Sequence, residues 1–289
     1  MLVTLKEILA DAQANHYAVG SFHVVENVML RTVLETAEAK EAPVIVMGFG
    51  PDLEGAGWTY IAGLAKLAAE YHNIPVCLHL DHCYDLDVIR HAVDYGFTGV
   101  MYDGSSLPFD QNVEMSKAAV DIAHPHGVSV EAELGHVGGS NLAETQHVES
   151  ILTEADEVTK FVELTGVDAL AVSIGTGHGI YRSEPTLNIE RLVELTKATD
   201  VPLVMHGGSG TPDDQVKNAV ANGITKVNIF AEQRMAMFRG LKEAAKIQRI
   251  DPLPQDQFGP ISSALSDLVA KKIELLSSDG RAALTIADS

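Results

Sequence analysis

Cysteine is nearly missing. Cys77 and Cys83 are the only two in 289 residues, and both fall in one short segment. That excludes a disulfide framework, which needs several cysteines spread along the chain. Basic residues are scarce too: 20 lysines and arginines stand against 40 aspartates and glutamates, a formal net charge of −20. A surface of that sign repels nucleic acid and anionic membranes, so neither is an expected partner. It offers no general attraction to anionic substrates either, so any phosphate site has to be built locally. No apolar run approaches the roughly 20 residues of a membrane span. The opening MLVTLKEILADAQAN reads as an amphipathic helix without a signal-peptide apolar core. There is no linker and no low-complexity stretch. The expectation is a soluble cytoplasmic protein, with residues 1–289 forming one domain.

What is present is a rhythm. Short β-rich runs recur at Ala18–Phe22, Pro43–Gly48, Pro75–Leu80, Gly99–Asp103, Val128–Leu134, Ala169–Gly175, Pro202–His206 and Lys226–Phe230. Several are almost continuously apolar, as parallel strands covered by helices are. Helical patterns lie between them: Glu26–Lys40, Trp58–His72, Leu86–Tyr95, Asn112–His124, Ala155–Thr165, Ile189–Thr199 and Pro212–Asn222. Prolines 43, 75 and 202 each open a strand, where a missing N–H costs little. Strand-then-helix units repeated eight times point to a (β/α)8 TIM barrel. A doubly wound open sheet is the alternative, but nothing marks a reversal of strand order. Residues 241–289 add helical pattern beyond the eighth unit, so extra C-terminal helices are expected. The connection after Glu133, LGHVGGSNLAETQHVESILTEAD, is polar and long enough to be either disordered or an active-site lid.

The polar groups gather at the strand ends. HLDHC puts His79, Asp81 and His82 at the end of the third run. Asp103 ends the fourth, Glu131 and Glu133 the fifth, and His178 follows the sixth. His206 ends the seventh, and Asn228 lies in the eighth. A barrel brings all C-terminal strand ends to one face, where active sites of this fold are built. An Asp or Asn at a strand end is often no more than a helix cap, which weighs on Asp103 and Asn228 taken singly. Alternation sets His79 apart from its neighbours, toward a core or supporting role. Histidines 16, 72, 91, 124, 126 and 147 fall in helix or loop patterns and read as surface or structural. His136 is close to the site in sequence but lies on the long loop. Together, His82, His178 and His206 form a neutral-imidazole set suited to zinc, with a fourth position open. In MHGGSG, residues Gly207, Gly208 and Ser209 bring backbone N–H groups and a hydroxyl within reach of an anion, in a loop where barrels often bind phosphate.

HLDHC, VMYDGSSLPFDQNV, VSVEAELGHVGG, TGVDALAVSIGTGHGIY and PLVMHGGSG resemble the class II, zinc-dependent fructose-bisphosphate and tagatose-bisphosphate aldolases, in family order from about residue 4 to residue 245. The resemblance implies that Asp81 is the proton donor at the hydroxyl of the cleaved C–C bond. It implies that His82, His178 and His206 hold a catalytic zinc. Asp103 and Glu133 match residues that bind a second or alternate metal. Gly179, Gly207, Gly208 and Ser209 match the site for the dihydroxyacetone phosphate half, with Asn228 hydrogen-bonding the substrate and Ala231 at a phosphate-contact position. A small sugar or sugar phosphate would be the substrate, and a homodimer or homotetramer the assembly. Zinc on the ketose carbonyl makes a Schiff-base lysine unnecessary, and none stands at a strand end, since Lys226 opens the eighth run at the opposite end.

The chain departs from that pattern in four places. The eighth strand usually runs Asn-x-x-Thr or Asn-x-x-Ser, and here Ala231 takes the hydroxyl's place. Phe49 stands where the loop after strand two commonly carries Ser or Thr. The lid usually carries Gly-Gly-x-Glu-Asp, but here Gly138-Gly139-Ser140-Asn141-Leu142 leaves Glu144 as the nearest carboxylate. Ser21-Phe22-His23 replaces a common Ala-Phe-Asn. Two lost hydroxyls at opposite ends, with no basic residue beside either (Arg182 or a neighbouring subunit aside), point to a substrate with fewer than two phosphates. Each lost bond to a charged group is worth about 1.5–3 kcal/mol. An aldolase is the leading reading. An epimerase or other enediolate enzyme on the same scaffold stays open, as does a non-catalytic sugar-phosphate binder, though a binder has no use for Asp81. A zinc hydrolase or deaminase leaves the Gly-Gly-Ser turn unexplained.

Overall fold

The computed structural model describes residues 1–139, 150–179, 181 and 183–283. Eight parallel strands close into a barrel in sequence order. They are β1 (Val19–His23), β2 (Val44–Phe49), β3 (Val76–Cys83), β4 (Gly99–Tyr102), β5 (Ser129–Leu134), β6 (Ala169–Val172), β7 (Leu203–Met205) and β8 (Ile224–Ile229). β8 pairs back onto β1, with Ser21 opposite Asn228. This is the expected (β/α)8 TIM barrel. The strands are buried on both faces because one row of side chains fills the barrel and the other packs on helices.

The opening segment forms the helix Leu5–Ala14, started by a capping box between Thr4 and Glu7. Its apolar spacing buries Leu5, Ile8, Leu9 and Ala12. These pack with Val19, Ile45, Cys77, Met101, Ala169, Ala171 and Val204 from the strands and plug the N-terminal mouth. The C-terminal mouth is left for chemistry. The tail supplies two helices, Ala231–Ala244 and Pro254–Leu275, which pack on each other, and the second also packs on the helix Asn27–Ala39.

Two helical segments differ from expectation. The helix expected over Trp58–His72 is a π-helical turn, Trp58–Gly63, running into an α-helix, Leu64–Tyr71. A short helix, Gly50–Leu53, follows β2 directly, with proline in its first turn.

Candidate metal and catalytic site

β3 carries the decisive irregularity. It was expected to stop at Leu80 and instead runs on to Cys83. Simple pleating puts Cys77, His79 and Asp81 on the inward face and would turn His82 out toward the helices. His82 escapes because the ladder with β4 slips between Leu80 and Cys83, and because its own φ is +40°. Asp81 and His82, neighbours in sequence, therefore both reach the mouth.

There the three imidazoles meet. His82 Nε2 lies 3.1 Å from His178 Nε2 and 3.0 Å from His206 Nδ1. The other nitrogens of two of these rings are engaged by carboxylates: His82 Nδ1 by Asp103 at 2.8 Å, His206 Nε2 by Glu131 at 2.9 Å. A carboxylate accepts, so His82 Nδ1 and His206 Nε2 carry hydrogens, and the facing nitrogens, His82 Nε2 and His206 Nδ1, are left for each other. Without metal one proton fits between them, and a divalent cation bound to both would take its place. Glu133 adds to this fit, since its Oε2 is buried without a hydrogen-bond partner and lies 3.6 Å from His206 Nδ1. A divalent ion can draw on either of two overlapping sets, His82–His178–His206 or His82–Asp103–Glu133.

Charge explains why the site wants a cation. Burial opposes ionisation of Asp81, yet the charges on His82 and Lys226 outweigh it and hold the carboxyl far below its usual range. Asn228 donates to Asp81 Oδ1 at 3.0 Å and fixes its orientation. Burial pushes His178 down to about 3 and lowers His206 as well, so both stay neutral, the form a metal ligand needs. Burial acts against the charge on His82 too, but Asp81 and Asp103 overcome it and raise the ring to about 10. Burial and the neighbouring Asp103 raise Glu133 to about 8.

Beneath the site lies a cluster that sequence reasoning did not assemble. Glu131 points into the barrel and is wholly buried. It meets Lys226 Nζ at 2.9 Å and His79 at 3.5 Å as well as His206. Lys226, expected at the far end of the eighth strand, is instead inside the barrel. His79 takes the supporting place that alternation implied, and its ladder partner Gly99 leaves the room, since a Cβ there would stand 2.8 Å from His79 Nδ1. Ser105 ties Asp103 (2.7 Å) to His136 (2.9 Å), which puts His136 at the edge of the site.

The family model described as "Fructose-bisphosphate aldolase class-II" matches residues 3–281. Among solved structures, the YdjI aldolase from Escherichia coli K12 is similar, with a TM-score of 0.87 at 34% identity, covering 98% of this chain and 100% of that one. A candidate fructose-1,6-biphosphate aldolase from Coccidioides immitis follows at 0.85 and 25% identity, covering 95% and 96%. The fructose-bisphosphate aldolase of Campylobacter jejuni shares the fold at 0.81 and 22% identity, covering 96% of each chain. The chain belongs to the class II fructose-bisphosphate aldolase family. It is an aldolase-type lyase.

Several residues matched to this family by motif sit differently in detail from the expectation. Gly207 turns with φ +69°, and a Cβ there would come within 2.4 Å of Gly177 O. Its carbonyl accepts from Tyr181 and Thr211 hydroxyls. Gly179 is also left-handed, at φ +95°. The Gly208 N–H, expected to face an anion, donates to Asn228 O at 3.1 Å, because a β7–β8 contact claims it. Ser209 Oγ accepts from the Phe230 and Glu232 N–H groups, capping the helix that Ala231 opens, and keeps its own hydrogen to donate. The β8 end does hold a cation after all: Arg234, one turn past Phe230, stacks its guanidinium 4.7 Å over that ring. Phe49 ends β2 opposite Asp81. The lid carboxylate Glu144, Arg182 and His147 lie outside the described residues. What is described of the long loop is pinned at its base by His136 pairing with Ile151 and Gly139 with His178.

Proposed function

We propose that this chain is a zinc-dependent aldolase acting on a ketose or ketose phosphate that carries fewer than two phosphates. The products would be a dihydroxyacetone or dihydroxyacetone phosphate half and an aldehyde. The carrying observation is the meeting of three imidazoles with the carboxylate of Asp81 beside them. His82, His178 and His206 hold the ion, and Asp103 with Glu133 offers a second position. Zinc, when bound, polarises the ketose carbonyl and stabilises the negative charge left on that half as the C–C bond breaks.

Asp81 accepts the proton of the hydroxyl on the aldehyde-side carbon during cleavage and returns it in condensation. The ionised resting state of Asp81 is the form that cleavage needs. Asn228 keeps the carboxylate aimed and presents its own buried Oδ1, which has no partner among the described residues. Gly179, Gly207, Gly208 and Ser209 line the dihydroxyacetone half, with Ala231 at its edge and the Ser209 hydroxyl as donor. Exposed apolar side chains on outer helices, among them Tyr60, Leu67, Tyr71, Met235 and Phe238, support a homodimer or homotetramer.

The test is retro-aldol screening of free ketoses, monophosphates and bisphosphates with zinc-loaded protein, trapping carbonyl products. Two shorter carbonyl compounds are expected. An isomer of equal mass would mean an epimerase. A bisphosphate favoured by about a hundredfold in kcat/KM would overturn the phosphate count.

A further inference from the structure

The barrel mouth is divided by chemistry. Strands β3 to β7 and their loops bring Asp81, His82, Asp103, Glu133, His178 and His206. Strands β1 and β2 face the same mouth and bring no metal-ligating set among the described residues. The charge in this sector is one-sided. From Val19 to Leu30, from Pro43 to Ala65 and from Ile74 to Ile89 there is no lysine or arginine, while Glu26, Asp52, Glu54, Asp81, Asp85 and Asp87 are all acidic.

Two residues there are built into place. His23 ends β1 on the inward row with Val19 and Ser21. Its backbone is clamped on both sides by Gln233, which accepts from its N–H at 3.0 Å and donates to its carbonyl at 3.1 Å. Its ring stacks on Phe230 at 4.0 Å. Its Nε2 meets Asp52 Oδ2 at 2.8 Å. The imidazole is 4% exposed and the carboxylate 34%, so His23 is the buried anchor and Asp52 the solvent-facing partner. Asp52 Oδ1 has no partner among the described residues. Phe49, level with Asp81 and half-buried at the end of β2, puts an aromatic residue three positions before Asp52.

An oriented carboxylate oxygen beside an aromatic ring accepts hydrogen bonds from hydroxyl groups and packs against C–H faces. A phosphate dianion brought to the same place would meet Asp52, with no lysine or arginine in these three segments to offset it and Arg234 held over the Phe230 ring. We propose that this sector receives the aldehyde half of the substrate, that this half is an uncharged, hydroxyl-bearing aldehyde, and that Asp52, oriented by His23, determines that specificity. The inference rests on the aldolase reading and adds to it which end of the substrate lacks a phosphate.

The experiment runs the zinc-loaded full chain in the condensation direction, with dihydroxyacetone phosphate and dihydroxyacetone as donors. Propanal, glyceraldehyde and glyceraldehyde 3-phosphate are the acceptors. In the wild type, kcat/KM for glyceraldehyde is expected to exceed that of either other acceptor by about tenfold or more. Asp52→Asn keeps the shape and removes the charge, and is expected to shift the glyceraldehyde 3-phosphate to glyceraldehyde ratio upward by about tenfold. A purely structural role for Asp52 would lower both in parallel and leave the ratio unchanged, which overturns the assignment. A wild type that prefers glyceraldehyde 3-phosphate also overturns it, without need of the variant, and leaves the aldolase reading standing. Failure to join any acceptor to either donor would sink the aldolase reading itself.

Discussion

One backbone angle decides whether His82 belongs to the site. At φ +40°, in a strand whose ladder slips beside it, the ring swings inward to join His178 and His206. The three then play unequal parts. His82 and His206 are each oriented by a carboxylate, Asp103 and Glu131, while the described contacts give His178 no such partner. His206→Ala is expected to lose stoichiometric zinc by metal analysis, and a variant that keeps its zinc would remove His206 from the ligand set. Asp81→Ala is expected to keep its metal and lose turnover by about 10²–10⁴-fold, because Asp81 is held by Asn228 and not by the imidazoles' free nitrogens. An active Asp81→Ala variant would assign the proton to another group. The two cysteines carry no chemistry. Both are buried, and burial pushes the Cys77 thiol up to about 12 and raises Cys83. Iodoacetamide at mildly alkaline pH is expected to leave both unmodified until the protein is denatured.

Between β5 and β8, the buried pair Glu131–Lys226 joins the barrel's interior to its metal site. Glu131 reaches His206 with one oxygen and Lys226 with the other, so Lys226 is linked to the metal ligand through Glu131, besides the charge it exerts on Asp81. Lys226→Met strands a buried carboxylate and is expected to cost about 3–5 kcal/mol in urea unfolding. Adding Glu131→Gln should recover part of that loss, whereas additive losses would mean that the two residues do not depend on each other. This cluster marks the limit of what could be read from the chain. The eight strands were legible because each is a short apolar run between helical periods. Asp81, His82, His178 and His206 were legible because polar groups at strand ends break that pattern. Alternation also tells that Glu131 and Lys226 face one side of their strands. It does not tell which side chains meet across a closed barrel, since that depends on the stagger of strands far apart in sequence. The two helices after β8 were visible only as helical pattern. The short Gly50–Leu53 helix was read as loop because four residues are too few to show a period.

For the molecule as a whole, the same groups make stability depend on pH and on metal. The unfolded chain protonates its histidines below about pH 6.5. The folded protein resists this at His79, which burial pushes down to about 4, at His178, pushed to about 3, and at His206, also lowered. Below pH 6.5 the unfolded state therefore binds more of these protons, and stability falls as pH falls. Glu131 adds to the loss at lower pH. Burial works against its charge, but Lys226 and His206 hold it at about 2, so its contribution is present above the ordinary glutamate value and disappears as pH drops through 2. On the alkaline side the sign reverses. Glu133, raised to about 8, and His82, raised to about 10, keep protons that the unfolded chain has already released. Their contribution is complete below the unfolded values and is lost as pH rises through the folded ones. The metal-free protein is thus expected to be most stable near about pH 6.5. A divalent ion on the neutral imidazoles and Glu133 takes the place of those retained protons, so the loaded protein should not weaken between pH 7 and pH 9 as the metal-free one does. Thermal melting across pH 5–9, with chelator and then with zinc, checks both halves. A chelated protein whose Tm keeps climbing past pH 8 would show that Glu133 and His82 hold no such protons. Parallel curves with and without zinc would place the ion away from these residues.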